Sequence, residues 1–154
     1  MKVLLSVSPN WGIGTVDGSL LYKNSMDMQI FKGLTQKCDI IAGRKTAETM
    51  IGGLKNRRCF AIAQNYIYGW TSVTYEYAKD VYPEAWVIGG AFTVDSLLPY
   101  ITEFWISFFQ DKPDTSDDKQ IIYLSDKTVD VINKCRRFVL FENQQFVFER
   151  LLVI

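Results

Sequence analysis

Histidine is absent from all 154 residues of this sequence, and its absence removes several classes of active site. The chain cannot build a Ser-His-Asp triad, a Cys-His nucleophile, a zinc site ligated by histidine, or an acid–base catalyst based on imidazole. Any proton transfer must therefore use a carboxylate, tyrosine, lysine, cysteine or water.

Net charge and long apolar runs are also lacking. Seventeen Lys and Arg residues balance seventeen Asp and Glu residues, so the chain lacks the basic excess with which nucleic-acid binders neutralise phosphates. No apolar run approaches the ~20 residues that a membrane-spanning helix needs, and the aromatic-rich run at residues 104–109 is short enough to be a buried strand. We therefore expect no nucleic-acid partner and no membrane partner.

Cysteine is scarce: Cys38, Cys59 and Cys135 stand at spacings that match no zinc-binding or Cys-x-x-Cys pattern. The chain also opens without a basic-then-apolar signal segment. We therefore expect no metal site, a reducing cytoplasmic location and, by default for this size, a monomer.

Short apolar runs alternate with helical segments along the chain. Helices are predicted at residues 25–36 and 47–50, and from the Gly89-Gly90 pair to Leu98. Strands are predicted at residues 3–7, 38–42, 59–63, 72–75, 85–88 and 104–109.

Two further strands, residues 138–141 and 146–153, flank Asn143-Gln144-Gln145 and predict an antiparallel hairpin. Irregular loops are predicted at residues 11–24, which hold several glycines, and at 111–119, which hold many charges. The sequence thus predicts one α/β domain over residues 1–154. It has a mostly parallel twisted central sheet, helices on both faces and a C-terminal antiparallel hairpin.

Asp27 is the most informative candidate. Ser25 is predicted to cap its helix, and Asp27 shares a helical face with Ile30, Phe31 and Leu34. One interpretation is a first-turn aspartate that complements the helix dipole or helps to cap. The other is a partly desolvated acid that faces a pocket and binds a nitrogen heterocycle with adjacent N–H donors. The helix alone leaves both open.

Two glycine sites share one setting, the carboxyl end of a predicted strand before a helix start: Gly43 before Arg44, Lys45 and Thr46, and Gly89-Gly90 before Ala91, Phe92 and Thr93. Ligands bind at that edge of open α/β sheets, where helix starts offer N–H groups to phosphates. Each site alone is a weak signal, but together they favour a ligand with more than one phosphate.

Five segments in one order extend along nearly the whole chain: Ile13-Gly14, Asp27 with Phe31-Lys32, Ile41-Ala42-Gly43-Arg44-Lys45-Thr46, Leu54 with Arg57, and Val87-Ile88-Gly89-Gly90 followed by Leu98-Pro99. In order and spacing they resemble the dihydrofolate reductase family. In that family NADPH gives a hydride to C6 of 7,8-dihydrofolate, N5 gains a proton through water, and tetrahydrofolate results. The resemblance implies NADPH as cofactor, and dihydrofolate and antifolate-type small molecules as ligands.

The resemblance also implies the substrate contacts. Asp27 matches the family's pocket acid, which holds the pteridine through N3 and the 2-amino group. Ser107 stands where the family has a threonine bonded to that acid. Arg57 matches the arginine that pairs with the α-carboxylate of the substrate's glutamate, a task suited to its planar fork. The other implied substrate contacts are Leu5, Phe31, Lys32, Leu54 and Ile88.

The implied cofactor contacts fall into three groups. One group meets the adenosine 2′-phosphate and the pyrophosphate: Gly43, Arg44, Lys45, Thr46 and Gln64. A second surrounds the glycine pair, whose peptide bond is cis in the family: Gly89, Gly90, Ala91, Phe92 and Thr93. A third approaches the nicotinamide: Val7, Ile13, Gly14 and Leu20.

Three departures from the family pattern modify these expectations. The family's Leu-Pro-Trp motif is Leu20-Leu21-Tyr22 here, so the hydroxyl of Tyr22 is predicted to replace the indole as the group that contacts water near the pterin. Ala63 and Gln64 stand where many members carry serines for the 2′-phosphate, which predicts a weaker preference for NADPH over NADH. Val94 replaces a frequent tyrosine after the glycine pair.

Two other functions stay open at this point. A reductase of another pterin or of a pyrimidine would not need Arg57 to hold a glutamate tail. A non-catalytic folate- or nucleotide-binding module would keep the fold while the changes at Tyr22 and Val94 abolish turnover. NADPH oxidation with dihydrofolate separates these functions.

Overall fold

The structure is a computed structural model that describes residues 1–113 and 120–154. Most of the loop predicted at 111–119 therefore lies outside the described residues. The strands are β1 Lys2–Val7, β2 Gly12–Thr15, β3 Asp39–Gly43, β4 Arg58–Ile62, β5 Thr71–Val73, β6 Trp86–Val87, β7 Glu103–Phe109, β8 Ile121–Tyr123, β9 Arg136–Glu142 and β10 Phe146–Leu152. The helices are α1 Ser25–Thr35, α2 Arg44–Glu48, α3 Tyr75–Val81, α4 Ala91–Leu97 and α5 Asp126–Asn133, with a 3-10 turn at Leu98–Tyr100.

Eight strands form the main sheet, in the order β5-β4-β3-β6-β1-β7-β10-β9. The strands from β5 to β7 are parallel, whereas β10 pairs antiparallel with both β7 and β9. A separate small sheet joins β2 to β8. The predicted fold class is confirmed, including the C-terminal antiparallel hairpin.

The alternation of side chains along β1 divides the apolar core between two faces of the sheet. On one face, Leu5 and Val7 pack with residues from α3, α4 and α5: Ala78, Val94, Leu97 and Ile132. On the other face, Leu4 belongs to an aromatic cluster against which α1 packs through Ile30, Phe31 and Leu34. Helices therefore cover both faces, and α1 lies on the face opposite to Leu5.

The N-terminus of α1 differs from the prediction. Asn24, which has extended backbone (φ −123°), is the N-cap, and its side chain accepts a hydrogen bond from Asp27 N. The prediction that Ser25 caps the helix is therefore wrong, since Ser25 is the first helical residue. Asparagine and serine are both good caps, so composition alone could not decide between neighbours.

Several elements were not predicted. The interval 11–24, predicted to be irregular, contains β2, whose Gly12 pairs with Tyr123 and whose Thr15 pairs with Ile121 in β8. A strand so rich in glycine depends on a partner about a hundred residues away, which no local pattern reveals. Helices α3 and α5 were also missed, and α2 begins at Arg44 instead of residue 47.

Candidate functional site

Asp27 lies in the first turn of α1, and the cap of that helix fixes its backbone. Its N–H donates to Asn24 Oδ1 at 3.0 Å. In a capping box an acid at this position would reach back to the N-cap N–H. Here the carboxylate instead accepts hydrogen bonds from two strands of the sheet, Ser6 Oγ to Oδ2 and Ser107 Oγ to Oδ1, both at 2.6 Å. The half-buried carboxylate is thus oriented by the sheet.

The register of the sheet explains why both serines reach the same acid. Ser6 in β1 and Ser107 in β7 are direct partners in a parallel pair, so their side chains leave the same face of the sheet. That face is the one covered by α1, as the hydrogen bonds to Asp27 require. The structure therefore brings Ser107 and Asp27 together, and it adds Ser6, which the sequence analysis did not identify.

Tyr22 lies on the same face as Asp27. Its ring stacks on Phe109 with centroids 4.0 Å apart and an interplanar angle of 6°, and its hydroxyl donates to the carbonyl of Asp111 at 2.6 Å. Burial, with a smaller contribution from the charge of Asp111, raises the pKa of Tyr22, so the phenol keeps its proton across the neutral range. That proton is donated to a backbone carbonyl, and the phenol oxygen can still accept a hydrogen bond from water.

Arg57 is anchored beside the C-terminal end of α1. Its Nε donates to Thr35 Oγ1 at 2.9 Å, one terminal nitrogen donates to the carbonyl of Lys32 at 2.8 Å, and the other donates to the carbonyl of Lys55. A guanidinium carries five N–H donors. These contacts use three of them, so one N–H on each terminal nitrogen is left for a carboxylate.

Thr35 is the residue that positions Arg57, and it was not predicted. Its side chain is fully buried, and its hydroxyl donates to the carbonyl of Phe31 while it accepts from Arg57. The sequence gives little sign of this role, since the hydroxyl of a threonine near the end of a helix usually does no more than bond to a carbonyl of the preceding turn. Leu54, the remaining predicted contact in this region, is half-buried and packs against a core cluster.

A cavity of about 710 Å³ opens at the carboxyl edge of the parallel strands. Its lining includes two predicted substrate residues, Leu5 and Ile88. It also includes nearly all predicted cofactor residues: Ile13, Gly14, Leu20, Gly43, Arg44, Lys45, Thr46, Gln64, Gly89, Gly90, Ala91, Phe92 and Thr93. The size falls within the roughly 300–1,000 Å³ typical of small-molecule sites.

Some predicted residues lie elsewhere in the described structure. Val7 is 1% exposed and packs in the core, and it is not among the cavity-lining residues. The other predicted residues outside the cavity lining surround the acid or the arginine: Tyr22, Asp27, Phe31, Lys32, Leu54, Arg57 and Ser107. The predicted site is therefore divided between this cavity and the region around α1.

Backbone lines the cavity where the two glycine sites meet. Gly43 N donates to the carbonyl of Gly89 at 2.7 Å, which joins the ends of β3 and β6. A Cβ on Gly43 would collide with Thr93 Oγ1 and would lie 3.4 Å from Gly90 N. Gly89 has φ +127°, and the Gly89–Gly90 peptide is cis, as the resemblance implied. Gly43 therefore leaves no space for a side chain, and the positive φ of Gly89 favours glycine, where the two strand ends approach each other.

Two cations border the cavity, and both have partners within the chain. Arg44 Nε pairs with Glu48 Oε1 at 2.8 Å, one turn further along α2. Lys45 Nζ donates to the carbonyl of Val16 at 3.3 Å and so connects α2 to the segment that follows β2. Neither helix start has a side-chain cap at its N-cap glycine, Gly43 or Gly90. Backbone N–H groups and two cations thus border the same cavity.

Comparisons with known proteins give one concordant result. A family model described as dihydrofolate reductase matches residues 1–119. Among solved structures, dihydrofolate reductase from Enterococcus faecalis complexed with NADP(H) and RAB-propyl is similar, with a TM-score of 0.74 and 17% sequence identity, covering 99% of this chain and 95% of that chain. No curated protein matches the sequence.

Proposed function

The chain belongs to the dihydrofolate reductase family, and on that premise we propose a specific reaction for it. It is an NADPH-dependent oxidoreductase that acts on dihydrofolate. In the proposed reaction NADPH supplies the hydride that C6 of 7,8-dihydrofolate receives, water supplies the proton that N5 receives, and tetrahydrofolate is the product.

The observation that carries this proposal is the arrangement of Asp27 with Ser6 and Ser107. A carboxylate offers about four acceptor positions, and the two serine hydroxyls fill two of them. The remaining two can accept two adjacent N–H donors, which are N3–H and the 2-amino group of the pterin. By bonding both donors, Asp27 holds the ring and stabilises the ring form that takes up a proton at N5.

The rest of the substrate is proposed to extend along α1 toward Arg57. Phe31 and Leu54 offer apolar contacts between the two ends, and Leu5 and Ile88 link the pterin region to the cavity. The two N–H groups left on Arg57 form a fork for the α-carboxylate of the glutamate, and Lys32 adds positive charge nearby. Because Thr35 and two backbone carbonyls hold the guanidinium, little side-chain entropy is lost when the carboxylate binds.

The residues around the cavity fit a dinucleotide. Glycine backbone at Gly43, Gly89 and Gly90 allows close approach of a pyrophosphate, and Arg44 and Lys45 add positive charge on the adenosine side. Leu20 is 58% exposed and lines the cavity, as Ile13 does. We propose that the segment of residues 13–20 closes over the nicotinamide and excludes water from the reacting atoms.

Tyr22 is proposed to accept a hydrogen bond from an ordered water near the pterin, since its own proton is donated to the carbonyl of Asp111.

All the proposed residues belong to one chain, so a monomer is sufficient for the reaction. The main sheet uses strands from residue 2 to residue 152, in support of a single domain. Antifolate-type small molecules would occupy the same pterin site.

A reducing, cytoplasmic compartment suits the three free cysteines, of which Cys59 and Cys135 are buried. Burial raises the pKa of the Cys135 thiol and keeps it protonated and unreactive near neutral pH. None of the described helices is long and apolar enough to cross a membrane.

The test is the loss of NADPH absorbance on addition of dihydrofolate, with NADH and a pterin that lacks the glutamate tail as comparisons. We expect oxidation that depends on dihydrofolate and a lower kcat/KM for the tail-less pterin. Equal kcat/KM for both substrates would instead support a reductase of another pterin. Binding of dihydrofolate and NADPH without oxidation would contradict the proposed reaction.

A further inference from the structure

Ser6 donates a hydrogen bond to one of the two oxygens of Asp27. Its hydroxyl donates to Oδ2, whereas Ser107 donates to Oδ1, and the two donors come from adjacent strands. Each oxygen of the carboxylate therefore has its own fixed hydrogen bond. A carboxylate held by both oxygens cannot rotate about its Cβ–Cγ bond without breaking at least one charged hydrogen bond.

We propose that Ser6 is a positioning residue for the reduction of dihydrofolate. It acts through Asp27, whose carboxylate plane it fixes together with Ser107, so that the open acceptor positions are aligned before the pterin arrives. This inference rests on the proposed function. The inference adds to the proposed site a second hydroxyl that donates to Asp27, which the predicted set of site residues did not contain.

The contrast with Ser8 shows that Ser6 does more than satisfy a polar group in a strand. Ser8, also near the end of β1, donates to Asn10 Oδ1 and accepts from Gly12 N, so its hydroxyl closes a local turn. Ser6 instead donates from β1 to Asp27 in α1, a residue 21 positions later in the chain. Its hydroxyl is therefore used for a tertiary contact with the acid.

The hydrogen-bonding state of Ser6 also matches the chemistry of the ligand. A hydroxyl has one proton, and that of Ser6 is donated to Asp27, so its oxygen offers only acceptor positions to a bound molecule. A ligand that approaches Asp27 meets its carboxylate between two serine oxygens, and these oxygens can also only accept hydrogen bonds. Such a group of acceptors favours a ligand edge made of adjacent N–H donors and disfavours a ligand edge that presents a carbonyl.

The first experiment compares Ser6→Ala with Ser6→Thr and with a distant control, Ser96→Ala in α4. We expect Ser6→Ala to lower kcat/KM for dihydrofolate on the order of 10-fold, because one charged hydrogen bond is lost. The KM for NADPH should not change. Ser6→Thr keeps a hydroxyl on a β-branched side chain that suits a strand, so it should restore most of the activity. Ser96→Ala should behave like the wild-type protein.

The second experiment tests whether Ser6 acts through the acid. The Kd of folate is measured by quenching of tryptophan fluorescence for wild type, Ser6→Ala, Asp27→Ala and the double variant. We expect Ser6→Ala to weaken folate on the order of 10-fold in the wild-type background and to have almost no effect in the Asp27→Ala background. If Ser6 were merely structural, its replacement would weaken folate binding equally in both backgrounds.

These outcomes separate the inference from the proposed function. If wild type reduces dihydrofolate but Ser6→Ala matches it, or if Ser6→Ala weakens folate equally in both backgrounds, the inference on Ser6 is overturned and the function stands. If wild type binds folate without oxidising NADPH, the function is overturned, and the double-mutant cycle on folate binding still decides whether Ser6 positions Asp27. If wild type binds no folate, both are overturned. Should Ser6→Ala fail to fold, Ser6→Cys replaces it, since a thiol of similar size is a weak donor and should give an intermediate loss.

Discussion

The acid end and the cofactor end of this site are built in different ways. Around Asp27, side chains from α1, β1 and β7 bind one another, and each hydrogen bond has a defined donor and acceptor. Around the cavity, the surface where β3 and β6 end is glycine backbone, and the cations that border it are bound to groups of the same chain. One end is preorganised by side chains, and the other is shaped by the absence of side chains.

This difference determines what substitutions should do. At the acid end, a change removes one hydrogen bond and leaves the backbone intact, so it should affect a rate or one ligand. At the cofactor end, a side chain added at Gly43 would collide with Thr93 Oγ1, so it should affect both folding and cofactor binding. The following predictions test this contrast, from the largest expected effect to the smallest.

Asp27→Asn should have the largest effect, because it replaces the acid that we propose holds the pterin. We expect the rate of dihydrofolate reduction near pH 7 to fall by about 100-fold or more, with partial recovery in acid, where solvent can protonate the substrate. The measurement is kcat as a function of pH. Asp126→Asn, a first-turn aspartate of α5, is the matched control and should leave the profile unchanged. An unchanged profile for Asp27→Asn would show that the acid is not engaged.

Arg57→Leu should weaken folate and spare NADPH. The loss of the proposed charged, forked hydrogen bond to the glutamate should cost about 1.5–3 kcal/mol of folate binding. The Kd of each ligand is measured by fluorescence or calorimetry. The neighbouring Arg58 offers a control, since it is exposed and pairs with Asp39 at 2.6 Å, so Arg58→Leu should change neither Kd. Equal weakening of both ligands by Arg57→Leu would contradict its assignment.

Gly43→Ala tests the cofactor end by adding one methyl group. Because the Cβ would collide with Thr93 Oγ1, we expect a loss of about 1–3 kcal/mol in the free energy of unfolding and weaker NADPH binding. Thermal unfolding and NADPH titration measure the two effects. Gly33→Ala in α1 is the control, since its Cβ meets nothing within 4 Å. It should stabilise the chain by about 0.5–1 kcal/mol, and a similar gain for Gly43→Ala would refute the steric argument.

Glu48→Gln should have the smallest effect. The change releases Arg44 from its partner, and we expect the preference for NADPH over NADH to rise by about 2- to 5-fold, as the small energies of exposed ion pairs allow. The measurement is the ratio of kcat/KM for the two cofactors. Glu76→Gln, which breaks the exposed pair with Lys79, is the control. A preference that does not change would mean that Arg44 does not contact the 2′-phosphate.

Much of the fold could be predicted from local patterns. The buried strands β1, β3 and β4 are continuous apolar runs that end at glycine or polar residues, and the hairpin β9–β10 flanks a polar turn, so these were found with shifts of a few residues. Strands β2 and β8 were missed because each is a strand only by pairing with the other. Helices α3 and α5 were missed although Thr74 and Ser125 cap them and accept from the third helical residue.

Candidate site residues could be named from the sequence where one residue type carries the chemistry. Asp27, a carboxylate on an apolar face, and the glycines that follow two predicted strands could be named as candidates from the sequence, although each also has a neutral interpretation. Arg57 was implied only by the family resemblance. Ser6 and Thr35 did not stand out, since their roles come only from partners that the tertiary structure places beside them. Local pattern did not settle whether Asp27 caps its helix or faces a ligand.

The sequence by itself determined the α/β class, excluded imidazole chemistry and marked Asp27, Gly43 and the Gly89-Gly90 pair as candidates, because residue types and local patterns can be read without the tertiary structure, and the family resemblance added Arg57. Only the tertiary structure decided that Ser6 and Ser107 hold the two oxygens of Asp27 and that Thr35 anchors Arg57. It also decided that Gly43 meets Gly89 and that Glu48 and Val16 engage the two cations. Most of these contacts depend on strand register and on how α1 packs against the sheet, which are set by interactions between residues distant in sequence.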